Sequence, residues 1–208
     1  MDLGSTLLSG IWRPLLALIL ASVVVMGSPG PSTISVTAVG AAFGVRRSLH
    51  YALGLITGTI AVLLMVAAGV VAVVVAIPYG ARLVGAVAAA YILFLAYKIA
   101  TAPPLEARSA QAAPPSFAGG VLLAIANPKA YLAIAAVFAG TTVIEESRGV
   151  DAAVKLVLLS LMIVLIHLAW LLTGASLSSL LRDPVSSRVI NVSLSAALVI
   201  TTFIALLS

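Results

Sequence analysis

Long apolar runs fill most of the chain, and short polar or proline-containing stretches separate them. A helix that crosses a bilayer needs roughly 20 predominantly apolar residues, and the runs reach this length. The pattern therefore predicts six membrane spans. Their approximate bounds are Ile11–Met26 continued by Ser32–Phe43, then Leu49–Ile77, Arg82–Ala100, Phe117–Ala139, Val154–Gly174 and Val189–Leu207.

Two of the six predicted spans are broken near their middle. Ser28-Pro29-Gly30-Pro31 interrupts the first span, and Asn127-Pro128-Lys129 interrupts the fourth. A helix breaks at membrane depth only where protein or a water-filled cavity satisfies the freed backbone groups. A matched pair of broken helices in two sequence halves indicates the binding site of a transporter.

A polar, proline-rich loop at residues 103–116 divides the chain into two halves of three spans each. We expect one transmembrane domain, built from a first repeat at residues 1–102 and a second at residues 117–208. An odd number of helices per repeat turns the second repeat upside down relative to the first. The predicted fold is an all-α integral membrane protein with two inverted three-helix repeats, and the first helix of each repeat is broken.

Composition agrees with a membrane protein. The chain has 208 residues, of which 62% are hydrophobic and 8% are charged, whereas a soluble domain carries about 25% charged residues. The net charge of +5 comes from basic residues scattered at span ends, which indicates membrane orientation and argues against nucleic-acid binding. Their distribution favours the loops after spans one, three and five as cytoplasmic, with both termini outside. The absence of cysteine excludes disulfides and thiolate chemistry.

The first break combines prolines and glycines. Pro29 and Pro31 lack a backbone donor and disfavour helix at the residue before them. Gly27 and Gly30 are expected to supply backbone conformations that other residues adopt only with strain. A proline kink that merely shapes packing is the alternative interpretation, but one proline would suffice for it. The cluster favours a functional break.

A helix that stops and restarts exposes backbone groups at both ends of the gap. The N–H groups around Ser32 and Thr33 carry a partial positive charge, and the carbonyl groups of residues 24–26 carry a partial negative one. A zwitterionic amino acid fits this arrangement, with its carboxylate toward the N–H groups and its ammonium toward the carbonyls. The hydroxyls of Ser28, Ser32, Thr33 and Ser35 are expected to add donors.

The second break places a cation inside the membrane. Asn127 is a favoured N-cap residue and Pro128 a favoured first-turn residue, so a new half-helix is predicted to start there. Lys129 follows at once, and an ionisable side chain within a span is a functional hypothesis by default. It would bind a carboxylate or act in proton relay. Snorkelling to an interface is the alternative.

Three further features are candidates with competing explanations. Tyr91, deep in the third span, needs a hydroxyl partner and is expected to face the cavity. His167, deep in the fifth span, would relay protons or serve as a hydrogen-bonded core histidine. The glycine pairs Gly40/Gly44 and Gly54/Gly58 are explained by close helix packing.

With both breaks identified, nearly the whole chain resembles the LysE/RhtB family of amino-acid exporters. Five segments in order carry the resemblance. They are Gly27-Ser28-Pro29-Gly30-Pro31, Phe43-Gly44-Val45-Arg46-Arg47, Gly54-Leu55-Ile56-Thr57-Gly58, Gly85 to Lys98, and Asn127-Pro128-Lys129.

The resemblance implies a multi-pass protein of the bacterial inner membrane that exports amino acids or close derivatives. It further implies coupling to protons, assembly as a homodimer, no cofactor and no enzymatic activity. The lysine that the family shares at the second break is present as Lys129. One position departs from the family pattern, because Ser32 stands where the family usually has asparagine, which affects substrate preference.

Two other functions compete with amino-acid export. A divalent metal-ion exporter of similar architecture would need oxygen or imidazole ligands within the membrane, but the acidic residues lie at span ends or in loops. An intramembrane serine hydrolase would need a serine beside His167. Ser176 is about 13 Å away along one helix, and no nucleophile motif marks another serine. We therefore expect no catalytic and no metal-binding residues.

Overall fold

The computed structural model describes residues 3–69, 114–176 and 183–207, together with residues 86, 90, 93, 94, 96, 97, 100 and 101. Within these residues the structure consists of helices and connecting turns without strands, as an all-α fold requires. The predicted third span lies largely outside them, and Tyr91 is among the residues not described. The helices are α1 (Leu3–Ala21), α2 (Pro31–Ala67), α3 (Phe117–Ile125), α4 (Pro128–Gly140), α5 (Arg148–Ser176) and α6 (Pro184–Leu207).

Helix α2 consists of two arms that meet at Gly44. This residue has φ +73°, in the left-handed region that glycine tolerates best, and it separates residues 31–43 from residues 45–67. The first predicted span was expected to end at Phe43, and the first arm ends there. The expectation that Gly44 serves helix packing is wrong, because a Cβ at this position would meet no atom within 4 Å.

Helices α5 and α6 begin several residues before the predicted spans. Ser147 precedes α5, and its carbonyl accepts a hydrogen bond from the Asp151 N–H at 2.9 Å. Asp183 precedes α6, and its Oδ2 accepts the Ser186 N–H at 2.7 Å. Serine and aspartate are favoured N-cap residues, and Pro184 is suited to a first helical turn. The helices extend beyond the apolar runs by which the spans were placed.

Helix α2 occupies the centre of the bundle and packs against α3, α4, α5 and α6. Two clusters of buried side chains surround it. One includes Tyr51, Leu55, Leu123 and Leu171. The other joins α2 to α1, α4 and α5 and includes Leu18, Leu63, Ile134 and Ile163. The broken segments are therefore embedded in a packed apolar scaffold.

Small residues allow α2 to approach its neighbours closely. A Cβ at Gly54 would lie 2.1 Å from the Phe117 carbonyl oxygen, and one at Gly120 would lie 2.4 Å from that of Tyr51. A Cβ at Gly174 of α5 would lie 2.1 Å from the Thr37 carbonyl oxygen. These contacts support the packing interpretation of Gly54 and extend it to two glycines outside the predicted pairs.

Gly54→Val is expected to lower the free energy of unfolding by about 1–3 kcal/mol, because the added atoms must push α3 away from α2. Thermal unfolding of the purified protein in detergent measures the change. Gly149→Val is the matched control, since a Cβ at Gly149 meets nothing within 4 Å. Equal melting temperatures for the two variants would contradict the close-packing explanation.

Two described helices, α2 and α5, are long and apolar enough to cross a membrane, and the bent pair α3–α4 makes a third span if counted as one. A shorter apolar helical stretch, Ile11–Met26, coincides with the first half of the first predicted span. Large apolar side chains such as Val24, Val157 and Leu172 point outward from these helices. A surface of this kind suits lipid, and the chain is a membrane protein.

Candidate functional site

The first break begins with a change of helix type. Helix α1 continues into a π-helical turn at Ser22–Met26, and the Gly27 N–H donates to the Ser22 carbonyl oxygen at 3.1 Å. π-Helical turns are rare and occur frequently at functional sites. A Cβ at Gly27 would lie 2.3 Å from the Val23 carbonyl oxygen, so only glycine fits this turn. The sequence analysis did not anticipate the π-helical turn.

The explanation predicted for Gly27 and Gly30 is wrong. Gly27 is in the right-handed helical region, with φ −77° and ψ −13°. Gly30 is extended, with φ −166° and ψ −179°, and other residues adopt this conformation without strain. Gly27 is needed for space, whereas a larger residue at Gly30 would require the Lys129 side chain to shift. At Gly30 a Cβ would lie 2.6 Å from the Cδ atom of Lys129.

Helix α2 restarts directly after the break. Gly30 occupies the N-cap position and Pro31 the first helical position, as the sequence predicts. The Gly30 N–H donates to Thr33 Oγ1 at 2.8 Å, and the Thr33 hydroxyl donates to the Gly30 carbonyl at 3.1 Å. The Thr33 hydroxyl is thus engaged within the break. Helix geometry leaves the N–H groups of Ser32 and Thr33 without intrahelical acceptors.

The second break is a bend of 62° between α3 and α4. Asn127 stands at the N-cap position and Pro128 begins α4, so the predicted half-helix start is confirmed. However, the Asn127 side chain makes no capping hydrogen bond. Its Nδ2 group donates instead to Ser32 Oγ at 2.9 Å. This hydrogen bond joins the two half-helix starts directly.

Lys129 reaches from the second break to the first. Its Nζ atom donates to the Ser28 carbonyl oxygen at 2.5 Å, to Ser28 Oγ at 2.7 Å and to the Pro29 carbonyl oxygen at 2.8 Å. An ammonium group has three donors, and here each has an acceptor. The snorkelling alternative is therefore wrong, since the side chain points into the protein. The three acceptors bind the ammonium group, and the absence of a Cβ at Gly30 leaves space for the Lys129 side chain.

One of the three carbonyl groups predicted to be unpaired before the break has a partner. The Val25 carbonyl accepts the Ser28 hydroxyl at 2.8 Å and so has a partner within the break. The carbonyls that bind a cation are those of Ser28 and Pro29. The remaining predicted donor, Ser35, forms a hydrogen bond with Tyr51 and does not line the cavity between the breaks.

A cavity of about 40 Å³ lies between the two breaks. This volume accommodates about three water molecules, at 10–15 Å³ each. Predicted site residues form its polar side, whereas α2, α4 and α5 add apolar walls. The lining residues are Met26, Ser28, Gly30, Ser32, Thr33, Thr59, Asn127, Lys129, Ala130, Ala133, Ile134, Ile163, Ile166 and His167.

Helix α5 contributes the third wall of the site. His167 lies in the cavity lining and is 4% exposed, so the structure brings this predicted candidate together with both breaks. Three residues farther along, the Trp170 indole N–H donates to the Gly27 carbonyl at 3.0 Å. The sequence reasoning missed Trp170 and Thr59. A signal for Trp170 was available, because a buried indole N–H requires an acceptor.

No group of three or more histidine, aspartate or glutamate side chains that could hold a metal ion occurs in the described part of the chain. His167 has the Ile163 carbonyl as its hydrogen-bond partner at 2.8 Å. Ser176, the serine considered for a hydrolase, donates to the Thr173 carbonyl at 2.7 Å.

Two broken helices that meet at a small cavity with one polar side, inside an apolar bundle, are typical of membrane transporters. Comparison with known proteins agrees. Residues 4–207 match the family of the LysE type translocator. The chain belongs to this family, and it is therefore a transport protein and not an enzyme.

The chain is similar to efflux proteins of enteric bacteria. The cysteine/O-acetylserine efflux protein of Escherichia coli (strain K12) is 30% identical over 195 residues, which cover 93% of this chain and 94% of that protein. The protein of the same name from Shigella sonnei (strain Ss046) gives the same values. That of Escherichia coli O139:H28 is 29% identical over 179 residues, or 86% of this chain and 87% of that protein. No solved structure gives a significant match.

Proposed function

We propose that this protein exports amino acids or close derivatives across the bacterial cytoplasmic membrane and binds its substrate in the cavity between the two breaks. One observation carries the proposal, namely that the starts of two half-helices and the Lys129 ammonium group surround a single cavity. The names of the relatives support the substrate class. Cysteine and O-acetylserine are therefore the first compounds to test.

The charges around the cavity suit a carboxylate. The N-termini of α2 and α4 both carry a partial positive charge, and the amide groups of Ser32 and Thr33 lie in the first turn of α2. Anions bind at such helix starts because N–H groups and the helix dipole act together. Lys129 adds a full positive charge, and it exchanges the carbonyls of Ser28 and Pro29 for the substrate carboxylate during binding.

The cavity is too small for an amino acid while Lys129 contacts the first break. Withdrawal of this side chain removes three hydrogen bonds between the breaks and enlarges the space. Substrate binding and the separation of the breaks are thereby linked, because the carboxylate replaces the acceptors that Lys129 gives up. In this proposal, Lys129 alternates between the two sets of acceptors during the transport cycle.

The remaining features of the proposed transporter come from the predicted repeat and from the resemblance to the family. Six spans form two inverted three-helix repeats around the cavity, with both termini outside the cytoplasm. Protons drive export, and His167 and Lys129 are the candidate relay groups. Two copies of the chain form a homodimer. Tyr91, on the third span, completes the predicted set of substrate-binding residues.

A transport assay with the reconstituted protein tests the proposal. Vesicles are loaded separately with O-acetyl-L-serine, L-cysteine and each of the other common amino acids. For at least one of these compounds, the vesicles are expected to take up the same radiolabelled compound by exchange. Vesicles that contain a heat-denatured preparation provide the background. Absence of exchange for every compound, with a correctly folded protein in the vesicles, would overturn the proposed function.

A further inference from the structure

Two buried polar atoms at the cavity have no hydrogen-bond partner among the described residues. They are Oδ1 of Asn127 and Nε2 of His167. Both residues line the cavity, and each is 4% exposed. A buried polar group without a partner is costly, so native proteins rarely leave one without a functional reason. Here two such atoms border the same small space.

The contacts of each side chain define what the free atom can do. The Asn127 Nδ2 group is the donor to Ser32 Oγ, which leaves Oδ1 as a carbonyl-type acceptor. His167 Nδ1 lies 2.8 Å from the Ile163 carbonyl oxygen, and a carbonyl only accepts hydrogen bonds. The Nδ1 atom therefore carries the proton, and in the neutral ring Nε2 is an acceptor.

The neutral ring is also the form that its surroundings favour. A charged imidazolium would place a second N–H in the buried wall without an acceptor, which is costly. The cavity consequently offers two acceptors, Asn127 Oδ1 and His167 Nε2, next to the donors at the helix starts.

We propose that Asn127 Oδ1 and His167 Nε2 form the subsite for the ammonium group of the substrate. This inference rests on the proposed function and specifies its substrate class as compounds with a free amino group beside a carboxylate. The carboxylate faces the Ser32 and Thr33 amides, and the ammonium faces the second break and α5.

Two variants of His167 distinguish the contribution of the Nε2 acceptor from that of the rest of the ring. His167→Asn retains a donor at the position of Nδ1 and removes the Nε2 acceptor. His167→Gln places an amide oxygen near the position of Nε2. A hydrogen bond to a charged group corresponds to roughly 10- to 100-fold in affinity, so we expect about this loss for the Asn variant and a smaller loss for the Gln variant.

A matched pair of ligands identifies the group that the subsite binds. O-acetyl-L-serine and 3-acetoxypropanoate differ only by the amino group, and the dissociation constant of each is measured by calorimetry with the full chain in detergent. We expect the loss in His167→Asn for O-acetyl-L-serine alone. Wild-type protein should bind 3-acetoxypropanoate more weakly than O-acetyl-L-serine. The dissociation constant for 3-acetoxypropanoate should differ less than about 2-fold between wild-type protein and His167→Asn, because this ligand has no ammonium group for His167 to bind.

The outcomes distinguish this inference from the proposed function. If wild-type protein binds neither O-acetyl-L-serine nor any common amino acid, the proposed function fails. If it binds them but His167→Asn weakens both matched ligands equally, or neither, the ammonium subsite is wrong and the two acceptors serve bound water only. If the melting temperature of His167→Asn equals that of wild-type protein, a loss of affinity in this variant is not caused by unfolding.

Discussion

Lys129→Met is expected to lower the rate of amino-acid export at least about 25-fold. Removing one partner of a buried charged hydrogen bond costs about 2–5 kcal/mol, and each 1.4 kcal/mol corresponds to a factor of ten. The variant loses the cation that contacts both breaks, and the carbonyls of Ser28 and Pro29 lose their donor. Exchange of radiolabelled O-acetyl-L-serine into vesicles measures the rate.

Two further variants give this result its meaning. Arg148→Met removes an exposed positive charge at the start of α5 and should leave export unchanged. Gly30→Ala keeps Lys129 but places a Cβ 2.6 Å from its Cδ atom, so export should fall although every charge remains. Normal export by Lys129→Met would refute the proposed role of the lysine. Normal export by Gly30→Ala would refute its close contact with the first break.

The positions of the breaks could be predicted from sequence because their causes are local. Pro31 and Pro128 lack a donor and suit a first helical turn, and both begin helices in the structure. Lys129 could be singled out in the same way, since a charged residue within an apolar run is recognised from the neighbouring residues. These predictions required no knowledge of which helices pack together.

Contacts between distant residues could not be predicted. Ser32 and Asn127 are 95 positions apart, and the hydrogen bond between them depends on how α2 packs against α3 and α4. Asn127 was expected to cap its own helix, but its side chain contacts Ser32 instead. Ser32 was expected to contribute a hydroxyl donor, and its Oγ atom accepts the hydrogen bond from Asn127.

Glycine illustrates the same boundary between local and distant causes. The requirement at Gly44 is local, because its φ is +73°. At Gly30 the absence of a side chain leaves space for Lys129, which lies about a hundred residues later in the chain. The prediction that Gly30 supplies an unusual backbone conformation was therefore wrong. A sequence shows that glycine is present, but only the packing reveals which neighbour needs the space.

The carboxylate of Asp151 holds the C-terminal end of α4 in place. Its Oδ1 atom accepts the N–H groups of Val143 at 2.7 Å and Ile144 at 3.0 Å, and its Oδ2 atom lies 2.7 Å from Lys155 Nζ. The same Nζ atom donates to the Phe138 carbonyl at 3.0 Å. Because α4 carries Lys129 at its other end, this cluster supports the helix that positions the cation of the site.

Asp151→Ala is therefore expected to lower the free energy of unfolding by about 2–4 kcal/mol, since two amide groups and one ammonium group lose their acceptor together. In detergent this corresponds to a fall in melting temperature of about 5–15 °C. Asp151→Asn retains an acceptor for the amide groups and should cost less. Glu146→Ala, which removes an exposed carboxylate from the same loop, should have no effect. A melting temperature of Asp151→Ala equal to that of Glu146→Ala would show that the cluster contributes nothing, because exposed single charges rarely contribute more than about 1 kcal/mol.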